Sequence, residues 1–293
     1  MTMRTVFKTG FLAVLVTGGL SVAPTLASDA ANASAKRIVS IGGTVTEILY
    51  ALGAGDRVIA RDSTSSFPVE VMNKPDIGYM RALSPEGILG QSPDLILSED
   101  GAGPPDALAI LKASEIPMVT IDTPPDGAAI ARKIRDVGAA VGLADKAETL
   151  AVNTDTDLAA LAGEVNKLPQ PRKRVLFVLS VANGRIMAGG KDTEAGAIIE
   201  MAGGVNAADG ISGYKPLTDE AVIAAKPDVV LVMHTGNHGV KPEEVFALPA
   251  FQSTPAAASQ SLVRMDGLLL LGFGPRTPEA ARSLASQLYP GSF

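Results

Sequence analysis

The chain has 293 residues, a formal net charge of −6, no cysteine and no tryptophan. A mildly acidic balance without a basic cluster argues against nucleic acid as a partner. The missing cysteine excludes a disulfide framework, a thiolate metal site and a lipoprotein anchor, which needs a cysteine just after its signal. Apolar residues make up 46% of the chain and lean to Ala, Val, Leu and Ile, the palette of helices packed on parallel strands.

The chain opens with positive charge at Arg4 and Lys8, runs apolar from Phe11 to Leu20, and passes through small residues to Thr25-Leu26-Ala27. This order reads as a secretory signal peptide over residues 1–27, with Ala31-Asn32-Ala33 as a second place for cleavage. The apolar run is too short to serve as a stable membrane anchor. The expected mature protein is exported, soluble, monomeric and not membrane-embedded, with the periplasm as its natural home. About 265 residues remain after cleavage, which suits one large or two medium domains.

An N-terminal α/β lobe is expected over residues 36–144. Arg37 to Ile41 is a short apolar strand, and Gly42-Gly43 turns into a helix that Thr44 caps, with Glu47 completing a capping box. Arg57–Arg61 is the next strand, giving the strand–helix–strand form of a parallel unit. The glycine pair is no phosphate loop, since neither nucleotide-binding glycine pattern is present.

The stretch Gly78-Tyr79-Met80-Arg81-Ala82-Leu83 follows, directly before Ser84-Pro85-Glu86. The latter reads as a helix start: Ser as N-cap, Pro at the first helical position, an acid in the first turn. In an extended segment Tyr79 and Arg81 face one side and Met80 the other. A nearby cation favours an ionised phenol, and a phenolate is a hard ligand suited to ferric iron. The bland reading is a half-buried packing tyrosine beside a surface arginine. Pro93-Asp94-Leu95-Ile96-Leu97 is a buried strand, and the Gly/Pro-rich loop from Ser98 to Pro105 lies at its C-terminal end, where open α/β sheets place ligands. A helix from Asp106 to Ala113, a strand over Met118–Ile121 and a helix from Gly127 to Val141 complete the lobe.

Residues 145–168 read as one long helix stopped by Pro169-Gln170-Pro171. It serves either as the last helix of the first lobe or as a link; the fresh strand that follows at once favours a link. The C-terminal lobe is expected over 172–293. It starts with the strand Arg174–Leu179, a glycine-rich loop from Gly184 to Gly190 and a helix over Glu194–Met201. Tyr214 to Leu231 then echoes the earlier stretch: Glu220 matches Glu86, Pro227-Asp228 matches Pro93-Asp94, and Tyr214 nearly matches Tyr79. The repeat predicts two lobes of like build.

His234 and His238 follow the strand Val229–Met233, and Arg276 sits in Gly272-Phe273-Gly274-Pro275-Arg276 before a C-terminal helix, Pro278–Leu288. Two histidines at H-x-x-x-H spacing can bind a metal ion. Here they fall in a loop without a carboxylate motif, which leaves a ligand contact or simple loop packing as the other roles. For Arg276, an anionic ligand group and a carbonyl within its own lobe fit equally.

With the Gly-Tyr-x-Arg stretch, the paired Pro-Asp strands and the Gly-Phe-Gly-Pro-Arg segment, the chain resembles the periplasmic haem-binding proteins of haem ABC importers, a likeness that spans the mature chain. They fall within a wider class of cobalamin and ferric-siderophore binding proteins. The resemblance implies two Rossmann-like α/β lobes with central parallel sheets, one long bridging helix and a ligand cleft between the lobes. It implies Tyr79 as axial ligand of ferric haem with Arg81 beside it. Glu86 and Glu220 become acids that dock on a permease dimer with its ATPase, although each also suits a helix dipole. Arg185, His234, His238 and Arg276 are the other candidate haem contacts. Some haem carriers use a second-lobe histidine; the Ser180–Arg185 segment has none. The expected function is a non-enzymatic haem carrier. Cobalamin or a siderophore as ligand, a metal-ion carrier and a hydrolase are the rivals, the last without a G-x-S-x-G or H-E-x-x-H pattern.

Overall fold

A computed structural model describes Met1, residues 32–236 and residues 238–293. The signal sequence read over residues 1–27 lies outside the described residues, Met1 apart, and so does the side chain of His238.

The first half contains β1 (Ile38–Ile41), α1 (Gly43–Ala51), β2 (Val58–Arg61), α2 (Pro85–Leu89), β3 (Leu95–Glu99), α3 (Pro105–Lys112), β4 (Met118–Ile121) and α4 (Gly127–Ala140). Its four strands are all parallel, in the order β2-β1-β3-β4. Side chains alternate across the sheet as a two-residue period demands. Ile38, Leu95 and Leu97 join one apolar cluster, and Val39, Ile41 and Ile96 the other. A parallel sheet covered on both faces needs such apolar runs.

Helix α5 (Ala144–Val165) has 22 residues and is about 33 Å long. The second half follows with β5 (Arg174–Ala182), β6 (Arg185–Gly189), α6 (Glu194–Met201), β7 (Val205–Asn206), β8 (Tyr214–Leu217) and α7 (Asp219–Ala225). Then come β9 (Val229–Thr235), β10 (His238–Gly239), α8 (Pro242–Phe246), α9 (Pro249–Gln252), α10 (Pro255–Ser259), β11 (Leu262–Asp266), α11 (Gly267–Leu271) and α12 (Thr277–Leu288). Here β5 pairs in parallel with β7 and β9, and β9 with β11. Around this parallel centre β6 runs antiparallel to β5, β8 to β6 and β10 to β9.

Two local expectations are corrected. The glycine-rich loop expected from Gly184 to Gly190 is strand β6. Asn183 and Gly184 both have positive φ, 52° and 72°, which is the two-residue turn that matches the twist of an antiparallel hairpin. The capping box expected at Thr44 and Glu47 does not form: α1 has no side-chain cap from its own sequence. Glu99, at the end of β3, accepts the N–H groups of Thr44 and Val45 at 2.7 and 3.2 Å instead. Gly42 is needed beside it, because its φ is +106° and a Cβ there would run into the Glu99 carboxylate.

The echo in the sequence is a repeated clasp. Asp94 accepts the N–H groups of Lys36 and Arg37, and the Arg37 guanidinium donates to the Ser92 carbonyl. In the second half Asp228 accepts the N–H of Arg174, whose guanidinium donates to the Ala225 carbonyl. In both halves the Pro-Asp strand lies parallel to the strand that opens the half, with Ile38 opposite Leu95 and Val175 opposite Val229. The core continues between the halves. Ile130, Ile134 and Val137 of α4, Ala147 and Leu161 of α5, Ile198 and Ile199 of α6 and Leu284 and Leu288 of α12 belong to one buried cluster.

Candidate ligand-binding cleft

Tyr79 stands on a clamped turn. Arg61, the last residue of β2, donates its N–H to the Pro75 carbonyl and accepts from Ile77 N–H, and Ser63 N–H donates to the Gly78 carbonyl. These bonds lay Pro75–Gly78 along the end of β2. The chain then leaves the extended form: Ala82 N–H donates to the Tyr79 carbonyl at 2.8 Å and closes a turn. Gly103 fixes the exit, donating to the Met80 carbonyl and accepting from Leu83 N–H. Met80 is buried, while Tyr79 and Arg81 are exposed. Tyr79 is 47% exposed. The apolar side chains of Phe67, Val69 and Met72, from the preceding loop and turn, are exposed as well.

Close contacts join this loop to the second half. A Cβ at Gly43 would meet Leu268 of α11 and the Thr64 carbonyl, and a Cβ at Gly267 would meet Met233 and His234. Thus α11 lies between the loop that leads to Tyr79 and the end of β9. His234 is half-buried there, with Nδ1 3.2 Å from the Gly236 carbonyl oxygen. The loop expected at His234 and His238 is instead the β9–β10 hairpin. Among the described residues no group of three or more His, Cys, Asp or Glu is placed to hold a metal ion. Arg185 is exposed just past the Asn183-Gly184 turn.

At the seam between the halves charges are buried. Arg276 Nη2 donates to Glu47 Oε2 at 2.6 Å, its backbone N–H to Oε1 at 3.3 Å, and its guanidinium lies 3.5 Å over the Phe67 ring. Thr44 Oγ1 donates to the Gly272 carbonyl, and Lys133 Nζ to the Phe273 carbonyl at 3.0 Å. Burial pushes the Lys133 ammonium below its ordinary pKa, with the Glu99 charge opposing that shift. Burial pushes the Glu99 carboxyl up, with Lys133 and the two α1 N–H groups opposing it. The structure therefore gives Arg276 a partner that neither sequence alternative named: a carboxylate of the opposite half.

Glu86 and Glu220 occupy matching places. Each is exposed in the first turn of a short helix. Ser84 caps α2 by accepting Gly87 N–H, and Thr218 caps α7 by accepting Ala221 N–H. Tyr214 does not match Tyr79: its hydroxyl donates to Glu194 Oε2 at 2.9 Å and its ring packs edge-on to Phe177. Sequence reasoning passed over Phe67, Glu99, Lys133 and the Arg61–Asp76 pair. Phe67, a rare aromatic in a polar loop, carried a readable signal; the others gain meaning only from partners distant in sequence.

A family model described as periplasmic binding protein matches residues 38–268. Among curated proteins, an uncharacterised ABC transporter substrate-binding lipoprotein of Bacillus subtilis is 27% identical over 280 residues, covering 93% of this chain and 88% of its own. A vitamin B12-binding protein of Pectobacterium carotovorum is 25% identical over 275 residues, covering 91% and 94%. Among solved structures, the periplasmic heme-binding protein RhuT of Roseiflexus sp. RS-1, in apo form, superposes with a TM-score of 0.83 at 36% identity, covering 89% of this chain and all of that one. The periplasmic heme-binding protein BhuT in complex with two hemes superposes with a TM-score of 0.81 at 37% identity, covering 86% and 97%.

Proposed function

Because the chain belongs to the periplasmic binding protein family, we propose that it is an exported carrier that takes up ferric haem and hands it to an inner-membrane ABC importer. The haem-binding relatives are 36% and 37% identical to it, against 25% for the vitamin B12-binding one, which favours haem over cobalamin. The family consists of substrate-binding transport proteins, so the work is capture and release rather than catalysis. No described helix is long and apolar enough to cross a membrane.

The observation that carries this reading is the half-exposed Tyr79 on its clamped turn. Its phenol oxygen binds the ferric iron of the cargo; tyrosine is a known axial ligand of haem. Exposed Phe67 and Met72 offer apolar surface to the macrocycle, the largest non-specific contribution to affinity. Arg185, and the edge of Arg276 not engaged by Glu47, face the propionates, and His234 contacts the haem from the second lobe. Residues 36–144 and 172–293 act as the two lobes, with 145–168 as their link. Glu86 and Glu220, one per lobe, pair with arginines of the permease. The carrier works as a monomer in the periplasm.

Haemin titration of the purified mature chain tests this. The expected spectrum is that of ferric tyrosinate haem, lost in Tyr79→Phe together with tight retention. A spectrum of free haemin in the wild type overturns the haem reading, and binding of cobalamin in its place selects the other relative. An unchanged spectrum in Tyr79→Phe moves the iron ligand elsewhere.

A further inference from the structure

Arg61 closes strand β2 with only 6% of its surface exposed. Its Nη1 donates to Asp76 Oδ2 at 3.0 Å and to the Asp62 carbonyl at 3.1 Å. Its Nε is buried without a hydrogen-bond partner. A guanidinium taken out of water with one donor unused costs stability, and an apolar side chain would end the strand without that cost. What the guanidinium reaches explains its presence. The other oxygen of Asp76 accepts the Gly78 N–H at 2.8 Å. Gly78 has a φ of +93°, a left-handed step that leads straight into Tyr79. Beyond Tyr79, Gly103 holds Met80 and Leu83. The ring is half exposed, yet the backbone that carries it is fixed on both sides.

We propose that Arg61, acting through Asp76, is the positioning residue that aims the Tyr79 phenol at the haem iron. This rests on the reading of Tyr79 as the iron ligand. The ion pair holds the Asp76 carboxylate where Gly78 N–H can reach it, and so fixes the backbone step before the ligand. Groups behind a metal ligand orient it in this way, and their loss commonly weakens binding about 10- to 100-fold.

The test uses the full mature chain loaded with ferric haem. Asp76→Ala removes both the ion pair and the acceptor for Gly78. Asp76→Asn keeps an acceptor without the charge, and Arg61→Lys keeps the charge on a single nitrogen without the planar fork. Two quantities are read: the tyrosinate–iron bands in resonance Raman spectra, and the rate of haem loss to an apo-globin trap. Asp76→Ala should lose haem about 10-fold faster with broadened, weakened bands, and Arg61→Lys should fall between it and the wild type. If Asp76→Ala does not fold, Asp76→Asn carries the test, with faster loss and weakened bands again expected. Wild-type bands and wild-type loss in the folded Asp76 variant overturn the proposal. Tyr79→Phe, measured alongside, separates two failures. If it retains tyrosinate bands, the ligand assignment falls and takes this inference with it. If it loses them while the Asp76 variant matches the wild type, only the positioning role falls.

Discussion

Arg276→Met should damage the protein far more than its partly exposed position suggests. Glu47 is 5% exposed and takes both the Arg276 guanidinium, at 2.6 Å, and the Arg276 N–H, at 3.3 Å. Removing the arginine leaves a buried carboxylate without a counter-charge, which costs about 3–5 kcal/mol. The cost at pH 7 is taken as about 4 kcal/mol. At roughly 2–4 °C per kcal/mol for a chain of this size, melting should fall by about 10 °C. Glu47→Gln leaves the arginine with water on one side and its Phe67 stack intact, so it should cost only about 1–2 kcal/mol. The double variant Glu47→Gln/Arg276→Met should then be more stable than Arg276→Met alone. Urea unfolding of the four proteins at pH 7, followed by circular dichroism, measures the cycle. Additive losses would refute the reasoning.

Three further outcomes follow from contacts described above. Asp94→Ala and Asp228→Ala each remove acceptors from backbone N–H groups at the start of a lobe's first strand; each should cost about 1–2 kcal/mol in urea unfolding, and an effect in only one half would break the equivalence of the clasps. Burial and the neighbouring Glu194 raise the Tyr214 phenol well above its ordinary value. Its folded pKa exceeds its unfolded one, so its contribution is whole below about pH 10 and is lost as pH rises beyond. Tyr214→Phe should flatten that alkaline decline while costing about 1 kcal/mol at neutral pH, and an unchanged alkaline slope would count against it. Glu86→Lys with Glu220→Lys should abolish haem-supported growth in cells and leave haemin titration unaltered; normal growth would remove both acids from docking.

The sequence made the repeated frame readable because its signals are local. Ser84-Pro85-Glu86 and Thr218-Asp219-Glu220 hold cap and acid within three residues, and each Pro-Asp announces the strand behind it. Helix α5 was readable for the same reason, being long and ended by Pro169. The Asn183-Gly184 hairpin was also written in the chain as two residues of known turn habit, and glycine content alone misled there. The short helices α8, α9 and α10 each open on a proline, at 242, 249 and 255, yet only the first has acids behind it to draw notice. At the seam the sequence was silent. Glu99 caps a helix more than fifty residues away, and Arg276 meets Glu47 across more than two hundred, distances that no spacing rule covers. Tyr79 was found from its neighbours, but the turn that presents it comes from β2 and Gly103, not from an extended run.

Among the described residues no strand of either sheet is borrowed from the other half: one sheet is built from residues 38–121 and the other from 174–266. The polypeptide crosses once, through α5, while α11 and the segment after it button back onto α1. A protease nick within α5 would therefore leave two fragments that stay assembled. Expressed separately, they should reconstitute the cleft, and cargo-dependent complementation becomes a route to a haem sensor.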